Sequence, residues 1–161
     1  MRAWVPVPGT AKGRLISGAL SEFGQRGYAA VSVAELAGLA GVTIGSLYHH
    51  FGSKSGLYSL VRDDVERRVL DRMEGAAAVR PGDAAAALLV AFDYLVAAGL
   101  ARLLSEPHPE RTEDPVEAML AALTGEPLQA RFLLAAWQAA LATAAAESAV
   151  AVRSALQRVL E

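Results

Sequence analysis

From Thr10 onward, apolar residues recur at helical spacing between glycine and proline breaks, and runs of β-branched residues are too short to form strands. That pattern restricts the chain to an all-α fold. Alanine reinforces it: much of the 53% hydrophobic content lies in runs such as Ala84 to Ala87 and Ala144 to Ala146, and alanine has the highest helix propensity of any residue. With 161 residues the chain is long enough for one compact body carrying a small functional lobe.

The breaks and caps divide the chain in order. Val5, Pro6, Val7, Pro8 and Gly9 cannot be helical and predict a flexible N-terminal arm over 1–9. Thr10 caps a helix over 11–26, whose Leu15, Ile16, Ala19, Leu20 and Phe23 share a face before Gly27 ends it. Ser32 and Glu35 form a capping box for a second helix reaching Ala40; Gly41 makes a turn, and Thr43 caps a third helix through Phe51. Two short helices joined by a tight glycine turn close a lobe over 10–54.

The remainder, 55–161, reads as a helical body. Ser53 caps a long connecting helix to about Glu74, with Leu57, Leu60, Val61, Val65 and Val69 on one side and Arg62, Asp63, Glu66 and Arg67 on the other. After Pro81 and Gly82, Asp83 caps an apolar helix to about Leu104; Ser105 to Pro115 is a loop, and 116–124 a short helix. Residues 128–161 contain neither glycine nor proline, and their periodicity allows one long helix or two joined near Glu147 and Ser148.

Several chemistries are excluded. Without cysteine there is no disulfide or thiolate metal site. His49 and His50 stand about 100° apart around a helix and cannot share a metal as an i, i+4 pair does, and His108 lies far away in a loop. No GxxxxGK loop or serine nucleophile elbow occurs, so neither an enzyme nor a cofactor is expected. No apolar stretch is long enough for a membrane span and no signal core precedes residue 30, which points to the cytoplasm and to no membrane partner. The net charge of −2 is unevenly spread: residues 1–56 hold Arg2, Lys12, Arg14, Arg26 and Lys54 against Glu22 and Glu35, a net of +3, and the rest carries −5. A cationic head on an anionic body suits a protein that meets nucleic acid at one end.

A helix entering the major groove must bury one side in its own domain and present polar groups and close backbone to DNA. In the third helix Leu47 and Phe51 form the inward side, which leaves Thr43, Ile44, Gly45, Ser46, Tyr48, His49 and His50 for the groove and its walls. Gly45 removes a side chain where the helix approaches closely, and the helix N-terminus offers amides to phosphate or base edges. The stretch Ala40-Gly41-Val42, Gly45-Ser46-Leu47-Tyr48-His49-His50-Phe51 and Ser53-Lys54 resembles the DNA-binding signature of the TetR family of transcriptional regulators, as do Ala19, Leu20, Phe23, Arg26, Gly27 and Tyr28 in the first helix. The resemblance covers about residues 11–60. Ser55 and Gly56, and Gly18 within helix one, depart from it, and the chain is shorter than the family commonly runs.

The resemblance implies an N-terminal helix-turn-helix lobe joined by a long helix to a ligand-binding and dimerisation bundle. It assigns Tyr48, His50 and Lys54 to phosphates and Thr43, Ile44 and Gly45 to bases. Ile44 stands where a polar residue is common in the family, and packing on a thymine methyl is the contact it suits. In the body, Phe92, Leu95, Leu103, Phe132 and Trp137 either line a ligand cavity or fill the core, and Arg102 is a polar candidate for orienting a ligand. Leu141, Val150, Val152, Leu156, Val159 and Leu160 suit an interface with a second copy. The implied function is a homodimeric repressor released from a palindromic double-stranded operator by a small-molecule inducer. The alternative is a helical small-molecule-binding or scaffold protein that has lost operator recognition.

Overall fold

The structure, a computed structural model, describes residues 9–160, so the arm expected over 1–9 lies outside the described residues except for Gly9. Nine helices are present among the described residues: α1 Ala11–Arg26, α2 Val33–Ala40, α3 Ile44–Phe51, α4 Lys54–Val79, α5 Ala84–Ala97, α6 Ala101–Leu104, α7 Pro115–Thr124, α8 Pro127–Ala144 and α9 Ala149–Leu160. Each expected N-cap is made: Thr10 accepts from the Gly13 amide, Ser32 from Glu35, Thr43 from Ser46, Ser53 from Gly56 and Asp83 from Ala86. Each such cap stabilises a helix by about 1 kcal/mol.

Helices α1–α3 form the head. α4 leaves it and runs through the body, packed against α1, α5 and α7. Its Leu57, Tyr58, Val61, Val65, Val69 and Met73 are buried, and they share one apolar core with Leu15 and Phe23 of α1, Leu36 of α2 and Leu47 of α3. The same core continues through Leu88 and Phe92 of α5 to Leu156 of α9. At its centre Trp137 is 1% exposed and donates its indole N–H to the Leu88 carbonyl at 3.0 Å.

Three expectations about where helices end are corrected or resolved by the structure. α4 continues to Val79 rather than ending near Glu74, because Ala76, Ala77 and Ala78 outweigh the cost of about 1 kcal/mol for Gly75, and the helix breaks only before Pro81. The helix expected to reach Leu104 stops at Ala97: Gly99 takes φ +69°, and the Leu100 amide bonds back to the Leu95 carbonyl at 2.8 Å. That is a Schellman ending. It reorients the chain so that α6 carries Leu103 and Leu104 into the core beside α1. Residues 128–161 form two helices, with the amides of Ala146 and Glu147 both bonded to the Thr143 carbonyl and α9 starting from Ser148.

The head meets the turn between α5 and α6 almost backbone to backbone. A Cβ on Gly24 of α1 would lie 2.7 Å from the Gly99 carbonyl oxygen and 2.9 Å from Leu100 Cδ2. No larger residue fits there without moving one element.

The largest correction concerns α4's polar side. Arg62 and Glu66, expected opposite the apolar face, are 1% and 3% exposed. The loop after α6 folds over this side of α4 and supplies polar partners to both residues.

Candidate nucleic-acid interface

The turn between α2 and α3 is set by Gly41, which adopts a left-handed conformation (φ 62°, ψ 41°) and lets the Val42 amide reach the Ala37 carbonyl at 3.0 Å. From there α3 lies with Leu47 wholly buried and Phe51 packed against the core. Two arginines hold this arrangement together. Arg14 donates to the Ala40 carbonyl, at the end of α2, at 2.7 Å. Arg26 pairs with Glu22 at 2.9 Å and with Glu35 at 3.0 Å, joining α1 to the capping box of α2.

Glu35 also accepts the Ser32 amide at 2.7 Å. These bonds to Ser32, with Arg26 behind them, hold its carboxyl at about 2, well below the usual carboxylate range. The cationic surplus of the N-terminal segment is thus partly structural, since Arg14 and Arg26 both serve the head's own geometry.

The opposite side of α3 faces outward. Thr43, Ile44, Gly45, Tyr48, His49 and His50 are exposed and Ser46 is partly so. Ile44 and Tyr48, one turn apart, are 47% and 49% exposed, an apolar pairing on a face that the protein does not cover. Gly45 lies between them, and a Cβ there would meet nothing nearer than the Thr43 hydroxyl at 3.8 Å. The fold therefore has room for a side chain at 45, and its absence leaves the backbone open to an external molecule. Thr43 satisfies the Ser46 amide, while the first amides of α3 have no intrahelical acceptor.

Lys54 begins α4 at the edge of the same surface. Its ammonium lies over the Tyr28 ring, 4.2 Å from the centroid, and partial burial lowers its pKa against the opposing pull of Glu35. Tyr28 stacks edge-on to Tyr58 at 4.8 Å, and Tyr58 to Phe23 at 5.0 Å. All eight residues expected to contact DNA thus belong to α3, its N-cap and the start of α4, with Tyr28 as a support that the sequence pattern did not single out as functional.

Sequence reasoning also missed a polar cluster beneath Tyr58. Arg62 donates to Glu66 at 2.7 Å, to the Tyr58 hydroxyl at 2.9 Å, and to the carbonyls of Leu103 at 3.1 Å and Glu106 at 2.8 Å. Arg111 reaches back to Glu66 and to Asp63. His108 Nδ1 accepts the Glu110 amide at 3.1 Å, which makes the ring's Nε2 the protonated nitrogen, 3.1 Å from the Ser59 hydroxyl. Burial, with Arg111 and Arg62 nearby, lowers the His108 pKa. The i, i+4 spacing of Arg62 and Glu66 was the available signal, but it equally describes a solvated ion pair.

The body residues considered for ligand binding do not converge. Phe92, Leu95, Leu103 and Trp137 are buried in the core, whereas Phe132 is 69% exposed beside a surface groove of about 440 Å³. Arg102 pairs with Glu106 at 3.4 Å and borders a cleft of about 370 Å³ together with Gly24, Gln25, Val96 and Ala144. Between α8 and α9 an outward groove of about 570 Å³ is lined by Ala136, Ala140, Ala151, Val152 and Ala155. Among the described residues no helix is long and apolar enough to cross a membrane, and no cluster of potential metal ligands occurs.

Residues 15–61 match the family model of the bacterial regulatory proteins of the tetR family. Across the whole chain the fold is similar to that of a candidate transcriptional regulator of Streptomyces coelicolor, with a TM-score of 0.58 and 22% identity over 94% of this chain and 97% of that one. A TetR-family regulator of Streptomyces coelicolor A3 overlaps at a TM-score of 0.47 and 18% identity over 97% of each chain. No curated protein matches the sequence.

Proposed function

We propose, from the match of residues 15–61 to the family model of the bacterial tetR regulatory proteins, that the protein is a cytoplasmic homodimeric repressor that binds a palindromic DNA operator and is released by a small molecule. The observation that carries the DNA-binding reading is the outer face of α3, where Ile44 and Tyr48 stand exposed around a Gly45 that the fold itself does not require. Such a face suits the major groove: Ile44 against a thymine methyl, the α3 backbone near base edges, and Tyr48, His50 and Lys54 against phosphates. Ser46 and His49 complete the contact surface.

One recognition helix reads few bases, and a pair reads a palindrome. Exposed apolar residues Leu128, Phe132, Val150 and Val159 all lie on α8 and α9, next to the alanine-lined groove, and support pairing through these helices. A ligand taken up by the body, with Arg102 as its polar contact, needs only to prefer the geometry that does not fit the operator. A coupling of about 1–3 kcal/mol suffices for a several-fold to hundred-fold effect.

The test is fluorescence anisotropy against DNA recovered by random-sequence selection, with scrambled DNA as control, over a range of salt. Selected DNA is expected to bind preferentially, and Lys54→Ala to lower the slope of log affinity against log salt by about one, as loss of one phosphate contact does. Equal binding to selected and scrambled DNA would overturn operator recognition and leave the helical ligand-binding or scaffold reading.

A further inference from the structure

We propose that Arg62 is a positioning residue for operator recognition: its buried guanidinium fixes the head to the body and so sets the separation of the two heads in the dimer. The proposal rests on reading the chain as a paired DNA binder.

Arg62 sits in the first half of α4, the helix that starts at the head's outer surface, and it is 1% exposed. Its bonds run in two directions. Toward the body it donates to the Leu103 carbonyl in α6 and to the Glu106 carbonyl in the loop beyond. The Leu103 carbonyl belongs to the last turn of α6, where helix carbonyls lack an intrahelical partner. Toward the head it donates to the Tyr58 hydroxyl, which itself donates to the Leu103 carbonyl at 3.2 Å.

From Tyr58 the contacts continue without a gap. Its ring meets Phe23 and Tyr28, and the Tyr28 ring supports the Lys54 ammonium. The same loop touches the head directly, since a Cβ on Gly27 would lie 3.1 Å from the Glu106 carboxylate. One planar group therefore joins α4, α6 and the following loop at the place where α1, α4 and α6 converge.

The chemistry favours geometry over stability as the role of this group. Apolar residues of similar volume often replace a buried ion pair without loss of stability, whereas a guanidinium held through Nε by Glu66 and through one terminal nitrogen by the Leu103 and Glu106 carbonyls is fixed in both position and direction. Glu66 keeps Arg111 as a partner when Arg62 is changed, so it is not left as an isolated buried charge. A methionine at 62 fills the space and makes none of the four bonds. The head then remains folded on the shared core, and its angle to the body is held by apolar packing alone, which permits small shifts that the directional bonds of Arg62 exclude.

The experiment compares the full-length wild type with Arg62→Met and Arg62→Lys. The probes are the palindrome recovered by random-sequence selection on the wild type and a single half-site cut from it, and circular dichroism melting is recorded alongside. Arg62→Met is expected to keep a cooperative melt, to lose tenfold or more in affinity for the palindrome, and to stay within twofold on the half-site. Arg62→Lys, which restores the charge but has no second nitrogen to bond Glu66 and the Leu103 and Glu106 carbonyls separately, recovers part of the loss.

Should Arg62→Met fail to fold, Tyr58→Phe removes only the hydroxyl between Arg62 and the head and is expected to lower the ratio of palindrome to half-site affinity about threefold. An unchanged ratio in the folded variant, or an equal loss on both DNAs, would overturn the proposal. A wild type that selects no sequence sinks the DNA-binding reading, and this proposal with it; a selective wild type whose variants behave alike sinks the proposal alone.

Discussion

The outer face of α3 and the inner face of α4 reverse the usual placement of residues. On α3 an isoleucine and a tyrosine are half exposed; on α4 an arginine and a glutamate are buried. Exposed apolar groups that the fold does not need indicate a molecule to be met outside. Buried charges, each with partners from another element, indicate a joint inside. The two faces lie on successive helices separated only by Gly52 and Ser53, so the proposed reading surface and the proposed joint are neighbours along the chain.

That contrast breaks most severely at Glu66. Glu66→Ala leaves Arg62 without its carboxylate and Arg111 without one of its two, and removing one partner of a buried pair costs about 3–5 kcal/mol. Urea denaturation is expected to show a loss of that size; a loss below about 1 kcal/mol would mean that the cluster is solvated and not a joint.

The α3 face should respond in the opposite sense. Ile44→Ala is expected to leave stability within about 0.5 kcal/mol, as for an exposed residue, while reducing discrimination at one base pair of the selected operator by roughly 1 kcal/mol. Competition binding with operators altered at single thymines reads this directly. A stability loss with unchanged base preference would make Ile44 a packing residue.

The smallest effect concerns the loop that supplies the joint's acceptors. His108 has a folded-state pKa below its unfolded value of about 6.5, so the unfolded chain takes up the proton first. Its contribution to stability is complete above about pH 6.5 and is lost as pH falls toward the folded value. Melting temperatures measured from pH 7.5 to 5.5 are expected to fall more in the wild type than in His108→Gln; parallel curves would show that the ring is already free in the folded protein.

The sequence was most legible where one residue type has one local use. Thr10, Ser32, Thr43, Ser53 and Asp83 all cap the helices they precede, since a short side-chain oxygen before an apolar repeat has few other roles. The outward set on α3 was legible for a similar reason, as Leu47 fixes the inward direction and the rest follows from helical geometry. Gly75 and Gly99 show the limit: the first is carried through by the alanines after it, and the second ends a helix because Leu100 finds a place against α1. Arg62 was illegible because its acceptors, at Leu103 and Glu106, lie more than forty residues away in the chain. No local pattern encodes them, and Arg102, Phe132 and the four buried body candidates were separated by the same kind of distant packing.

The close approach of Gly24 to Gly99 also bears on modularity. A head that shares its core with the body, and touches it through bare backbone at that point, is not a transplantable cassette. A chimera built by exchanging residues up to the start of α4 would set a foreign α1 against the turn at Gly99 and Leu100, and any side chain at position 24 would push the two apart. Exchange of heads between relatives therefore requires a matched glycine or a matched turn before α6, and the proposed recognition surface is better altered by substitution on α3 than by replacement of the head.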